Sequence, residues 1–131
     1  MFNEWRDVKL KILGIDDNFA INELLDNVLN ASGHEFSYVN NGKEGLKLIQ
    51  ENNYDIVLLD LSMPEFTGVE VIDSLNNGGI INKQKIIIFT ASSFTDSEIE
   101  ELLKNGAHSC IRKPIDIDLL LEKIDVLDKE T

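Results

Sequence analysis

Asp55-Ile56-Val57-Leu58-Leu59-Asp60 sets four apolar residues in a row between two aspartates. No polar residue interrupts the run, so neither of its faces is suited to water. That is the pattern of a parallel strand covered by helices on both sides. The run is also too short for a buried helix. Lys85-Ile86-Ile87-Ile88-Phe89-Thr90 repeats it downstream, and Lys9 to Ile15 resembles it upstream. Phe36 to Val39 and Ser109 to Arg112 read as two shorter strands.

Stretches with helical spacing separate these runs. Asn18 to Ser32 carries Ile21, Leu24, Leu25, Val28 and Leu29 as one stripe, and Gly33 stands where a left-handed residue ends a helix. Asn41 to Glu51 offers Leu46 and Ile49, and Val69 to Asn76 forms a third amphipathic stretch broken by Asn77-Gly78-Gly79. Thr95-Asp96-Ser97-Glu98 has capping-box spacing ahead of Ile99, Leu102 and Leu103. Asn105-Gly106 closes that helix. Asp116 can cap a last one through Leu127, with Ile117, Leu120, Leu121 and Ile124 inward. Strand and helix thus alternate along the chain, which predicts an α/β fold: a five-stranded parallel sheet with helices on both faces. Residues 1–8 precede the pattern and are expected to form an N-terminal extension to a single domain over residues 9–131.

Composition narrows the function. The chain has 131 residues, 43% hydrophobic and 27% charged, with a formal net charge of −12. That excess argues against a nucleic-acid partner and against an anionic membrane, both of which are met by clustered Lys and Arg. Cys110 is the only cysteine, so neither an intrachain disulfide nor a cysteine-built zinc site can form. No segment reaches transmembrane length, and Met1-Phe2-Asn3-Glu4-Trp5 lacks the regions of a signal peptide, so a cytoplasmic protein is expected.

The polar residues at the strand ends carry the chemistry. Ligands of open parallel sheets bind beyond the carboxyl ends of the strands. Asp16 and Asp17 end the first strand, Asp60 the third and Thr90 the fourth, while Lys113 follows the fifth, directly before Pro114. Each has an ordinary reading alone: a helix-start acid, a loop cap, a strand-end threonine, a surface lysine. Together they converge on one edge. Three carboxylates there repel unless a cation offsets them, and Mg²⁺ takes carboxylate, water and phosphate oxygens. A lysine beside a metal makes sense if a further anion, such as a phosphoryl group, is held between them.

On these residues the sequence resembles the receiver domains of two-component response regulators, from Lys9 to Leu127. The signatures are Ile15-Asp16-Asp17, Leu58-Leu59-Asp60-Leu61-Ser62-Met63-Pro64 with Gly68, Thr90-Ala91, and Lys113-Pro114 after Gly106-Ala107. The resemblance implies a (βα)5, flavodoxin-like or CheY-like fold and a domain that modifies itself without turning over a substrate. Asp60 would accept a phosphoryl group from a phosphohistidine on a histidine kinase or phosphotransfer protein. Asp17, Asp60 and the main-chain carbonyl of Ser62 would ligate Mg²⁺, with Asp16 acting through a water. Lys113 would pair with Asp60 and then with a phosphoryl oxygen, and Thr90 would bond another. A cis Lys113-Pro114 peptide is implied as well. Output would run through an unknown protein target or a phosphorelay.

Cys110 stands where the family usually carries an aromatic residue whose rotamer follows the threonine. A small thiol cannot serve as that switch, and inert packing is its expected role. Ser62 and Ser92 sit two residues after Asp60 and Thr90, where the family tunes the lifetime of the acyl phosphate. His34 and His108 read as surface polar residues. Phe2 and Trp5 are expected to pack on the domain, and Phe66 and Phe94 to lie in loops beside the site. The alternative reading is a receiver-fold interaction module that phosphate does not switch. A phosphohydrolase would want an acid where Ser62 stands, and a flavin domain a Ser/Thr/Gly-rich loop where Asp16-Asp17-Asn18 stands.

Overall fold

The computed structural model describes residues 9–91 and 93–130. Its strands are β1 (Lys11–Ile15), β2 (Glu35–Val39), β3 (Ile56–Asp60), β4 (Lys85–Thr90) and β5 (Ser109–Arg112). They alternate with α1 (Phe19–Ala31), α2 (Gly42–Glu51), α3 (Gly68–Asn77), α4 (Asp96–Lys104) and α5 (Ile117–Glu130). The strands pair in parallel in the order β2-β1-β3-β4-β5, with Gly14 opposite Leu58 and Asp60 opposite Phe89. The expected α/β sheet is therefore present.

Alternate strand residues feed two separate cores. Leu13, Ile15, Val57, Leu59, Ile86 and Ile88 pack with Ile49 of α2, Val71, Ile72 and Leu75 of α3, and Ile99 and Leu102 of α4. Ile12, Ile56, Leu58, Ile87 and Phe89 pack on the other face with Leu25 and Leu29 of α1 and Leu120, Ile124 and Leu127 of α5. Every residue of β3 is buried, because both of its faces meet helices. The order leaves β1 and β3 adjacent while the chain moves outward from them in opposite directions. Their carboxyl ends flank the crevice where such a sheet admits a ligand.

Local chemistry sets the helix ends. The side chains of Asn18, Asn41, Thr67 and Thr95 each accept a hydrogen bond from a first-turn backbone N–H. The capping box at Thr95 and Glu98 forms as the spacing predicts. A second, between Thr67 and Glu70, starts α3 at Gly68 rather than Val69. Gly33 adopts φ 91° after α1, where a side chain would be strained. Asp116 bonds the Leu119 N–H at 3.1 Å ahead of α5. A 3₁₀ turn at Ile81–Lys83 leads into β4.

Three placements differ from the sequence reading. Leu24 and Leu103 are exposed rather than inward. Each adjoins a buried leucine, Leu25 or Leu102, and one residue along a helix turns a side chain about 100° off the buried face. His34 is buried rather than a surface residue, with an Nδ1 that has no hydrogen-bond partner. Burial pushes its pKa below the ordinary value, so the neutral imidazole is favoured there. The N-terminal extension with Phe2 and Trp5, and Ser92, lie outside the described residues.

Gly45 ties α2 to the end of β1. A Cβ there would collide with the Ile15 side chain, reaching 2.8 Å from Cγ1, and Ile15 is fully buried. Gly45→Ala should therefore lower stability by about 1–3 kcal/mol despite the higher helix propensity of alanine. A urea midpoint at or above that of the parent would contradict this packing.

Candidate functional site

The site is built at the carboxyl ends of β1, β3 and β4 and just beyond β5. Asp60 is the last residue of β3 and 1% exposed, so the strand delivers its carboxylate without freedom to swing. Its loop is held from two directions. The Leu61 N–H donates to the Phe89 carbonyl at 3.0 Å, and the Gly68 N–H to the Leu61 carbonyl at 3.3 Å. Gly68 passes so close that a Cβ would strike the Asp60 carbonyl and sit 2.8 Å from the Leu61 Cα. Between them Glu65 takes φ 64°, inside a tight turn closed by the Phe66 N–H and the Pro64 carbonyl at 2.8 Å.

Asp16 and Asp17 follow β1. Asp16 is 2% exposed, and its backbone N–H extends the ladder to Val39 at 3.2 Å. Its Oδ1 accepts from the Asn18 N–H at 2.9 Å, while its buried Oδ2 has no hydrogen-bond partner. Asp17 is exposed, so one side of the cluster opens to solvent. One carboxylate oxygen from each of Asp16, Asp17 and Asp60 lies within 4.8 Å of the others.

Lys113 faces this cluster from the loop after β5. Its Nζ is 3.3 Å from Asp60 Oδ1 and 3.5 Å from Asp16 Oδ2. The second distance is an ion pair, and Asp16 Oδ2 has no hydrogen bond besides it. The Lys113 N–H donates to the Thr90 carbonyl at 2.7 Å, and the Lys113-Pro114 peptide is cis, as the resemblance implies. Thr90 is fully buried at the end of β4, where its hydroxyl donates to the Ala91 carbonyl at 3.2 Å. The exposed Ser62 donates its N–H to Asp60 Oδ1 at 3.2 Å.

The electrostatics are those of an anion-crowded site. Burial is the largest influence on Asp16 and the Asp60 charge adds to it, outweighing the Asn18 N–H and Lys113, so its carboxyl is pushed up to about 6. The donor set fits a hard divalent cation: all-oxygen ligands, one orphaned buried oxygen and an open side for water. No other group of three His, Cys, Asp or Glu residues among those described lies close enough to hold a metal.

The structure brings Asp16, Asp17, Asp60, Ser62, Thr90 and Lys113 to one edge, while Ser92 lies outside the described residues. Reasoning from sequence missed Asn18, Asn22 and Phe19. Asn22 is buried on α1 and donates to the Asp16 carbonyl at 2.8 Å. The 68% exposed Phe19 rims a cavity of about 290 Å³ shared with Asp17, Asn22, Tyr38 and Glu44. An asparagine in an otherwise apolar stripe was the available signal for Asn22. The two loop aromatics are half-buried, and the Phe94 carbonyl accepts from Arg112 at 3.1 Å. Cys110 lies opposite Ile88 and packs, half-buried, into the core under α4. Burial pushes its thiol pKa up, which fits packing rather than reactivity.

Comparison with known proteins agrees with this geometry. The family model described as "Response regulator receiver domain" matches residues 12–125. Sporulation initiation phosphotransferase F of Bacillus subtilis is 32% identical over 115 residues, which span 87% of this chain and 90% of that protein. The receiver domain of Francisella response regulator 1452 superposes with a TM-score of 0.83 at 32% identity, covering 92% of this chain and 98% of that one. The response regulator TrrA of Thermotoga maritima, solved in complex with Mg²⁺-BeF, gives 0.74 at 33% identity over 88% of this chain and 96% of that one. Span, topology and the place of the acidic cluster lead to one assignment: the chain belongs to the response regulator receiver domain family, a signalling family and not one of turnover enzymes.

Proposed function

We propose that Asp60 is the phosphoryl acceptor of this receiver and that residues 9–131 form the receiver unit. The observation that carries the reading is a buried Asp60 carboxylate 3.3 Å from Lys113 with two further aspartates alongside. Phosphoryl transfer needs positioning and charge neutralisation more than covalent chemistry from the protein, and this edge supplies both. An Asp60 carboxylate oxygen attacks the phosphorus of a phosphohistidine on a histidine kinase or phosphotransfer protein. The new O–P bond forms as the P–N bond breaks, and the departing imidazole keeps the electron pair. Lys113 moves from Asp60 to a phosphoryl oxygen, and the Thr90 hydroxyl leaves the Ala91 carbonyl to donate to another.

Asp17, Asp60 and the Ser62 carbonyl would hold Mg²⁺, with Asp16 acting through a bound water. The ion, when bound, neutralises charge on the phosphoryl oxygens. The product is an acyl phosphate on the domain itself, removed slowly by water. Output through protein contacts or a relay fits the acidic surface, and no described helix is long and apolar enough to cross a membrane. The unswitched reading draws on Cys110 alone.

Incubation with Mg²⁺ and acetyl phosphate separates the two. The parent should gain the mass of one phosphoryl group and Asp60→Ala none; no Mg²⁺-dependent adduct on the parent, by mass spectrometry and by fluoroberyllate binding, would favour the unswitched module.

The raised Asp16 carboxyl gives a second expectation. The folded protein holds this proton more tightly than the unfolded chain, where the group titrates near 3.8. Without a divalent cation, stability from this group is greatest below that value. It falls as pH rises through about 6 and stays reduced above. A shift of this size corresponds to about 2–3 kcal/mol. Asp16→Asn should therefore be the more stable protein above about pH 6 in the presence of chelator, with the gap closing toward about pH 4. Urea titrations across that range check it, and a gap independent of pH would refute the assignment to Asp16.

A further inference from the structure

We infer that Asn22 is a positioning residue for the divalent-cation site, fixing the link between Asp16 and Asp17 through its side-chain amide. The inference rests on the reading of Asp16, Asp17 and Asp60 as a cation site. Asn22 lies on the buried face of α1 that also carries Leu25 and Leu29, and it is 1% exposed. An apolar residue would suit that face for packing. The amide is instead only half satisfied: Nδ2 donates to the Asp16 carbonyl at 2.8 Å, while Oδ1 is buried with no hydrogen-bond partner. An orphaned buried acceptor is destabilising. The fold alone gives no reason for an asparagine there.

What the amide does secure is the peptide between the two acidic residues. The Asp16 carbonyl belongs to the planar unit that joins Asp16 to Asp17. Gripping that oxygen sets the tilt of the plane, and with it the direction in which Asp17 leaves the strand. The Asn18 N–H holds Asp16 Oδ1 from the side-chain end at 2.9 Å. Backbone and side chain of Asp16 are thus held independently, one by α1 and one by the turn. Groups that orient metal ligands from behind typically account for about 10–100-fold in metal affinity.

The test measures Mg²⁺ binding and metal-free stability in the same variants. NMR titration of backbone amides with MgCl₂ gives the dissociation constant, and urea unfolding with chelator gives the stability. Asn22→Leu and Asn22→Ala should each weaken Mg²⁺ binding by about 10-fold or more. The metal-free midpoint of Asn22→Leu should stay close to that of the parent, because removal of the orphaned Oδ1 offsets loss of the hydrogen bond to the Asp16 carbonyl. Leu24→Ala, on the exposed side of the same helix, should leave the dissociation constant unchanged. Mg²⁺ affinity within about 2-fold of the parent in both Asn22 variants would overturn the inference. So would a fall in metal-free stability that accompanies the loss of affinity in both, since that marks a structural role. A parent that binds no Mg²⁺ would instead remove the cation site itself, and the role of Asn22 with it.

Discussion

Three carboxylate oxygens within 4.8 Å of one another carry more negative charge than the Lys113 ammonium offsets at 3.3 and 3.5 Å. At such separations like charges near a protein surface repel by about 4 kcal/mol per pair, and burial of Asp16 and Asp60 keeps water from screening them. An arrangement this costly persists only if the surrounding chain leaves the acids nowhere to go. Much of the structure can be understood as the bracing that this repulsion requires.

The bracing is mostly backbone. Asp60 ends a strand whose two neighbours are both in register, and the chain after it is tied to Phe89 and Gly68. Asp16 continues the ladder to Val39, and Lys113 is anchored by its own N–H to the end of β4. Because these restraints belong to the sheet and its loops, they do not depend on side-chain packing at the site. The two cores, one under α2, α3 and α4 and one under α1 and α5, keep the sheet itself from yielding. The lone thiol of Cys110 sits in the first of these as a small packing group, so it braces without taking part.

Much of this was legible in the chain. Unbroken apolar runs mark β3 and β4 because a strand covered on both faces has no need of alternation. Acids at strand ends mark the site, because topology carries those ends to one edge. What stayed hidden depends on tertiary neighbours. Leu24 and Leu103 differ from buried leucines only by one step of helical rotation, which periodicity cannot resolve when two leucines are adjacent. His34 is buried beside Lys9 and residues of α5, neighbours its own segment does not announce. The turn around Glu65 and the Thr67 capping box, which the sequence reading did not single out, make the loop between β3 and α3 tightly built. Asn22 looks like a flaw in an amphipathic stripe until the carbonyl it holds is seen.

The elements that meet at the site come from the beginning, the middle and the end of the chain. Asp16 follows the first strand and Lys113 the last, and Asp60 ends the third, between them in the chain. No segment of the chain holds a partial version of the site that could act alone. During synthesis, a nascent chain lacking β5 has its acids but no lysine to oppose them, and their mutual repulsion works against early closure of that edge. The full set of charges at that edge therefore exists only once β5 has joined the sheet and brought Lys113 to the acids.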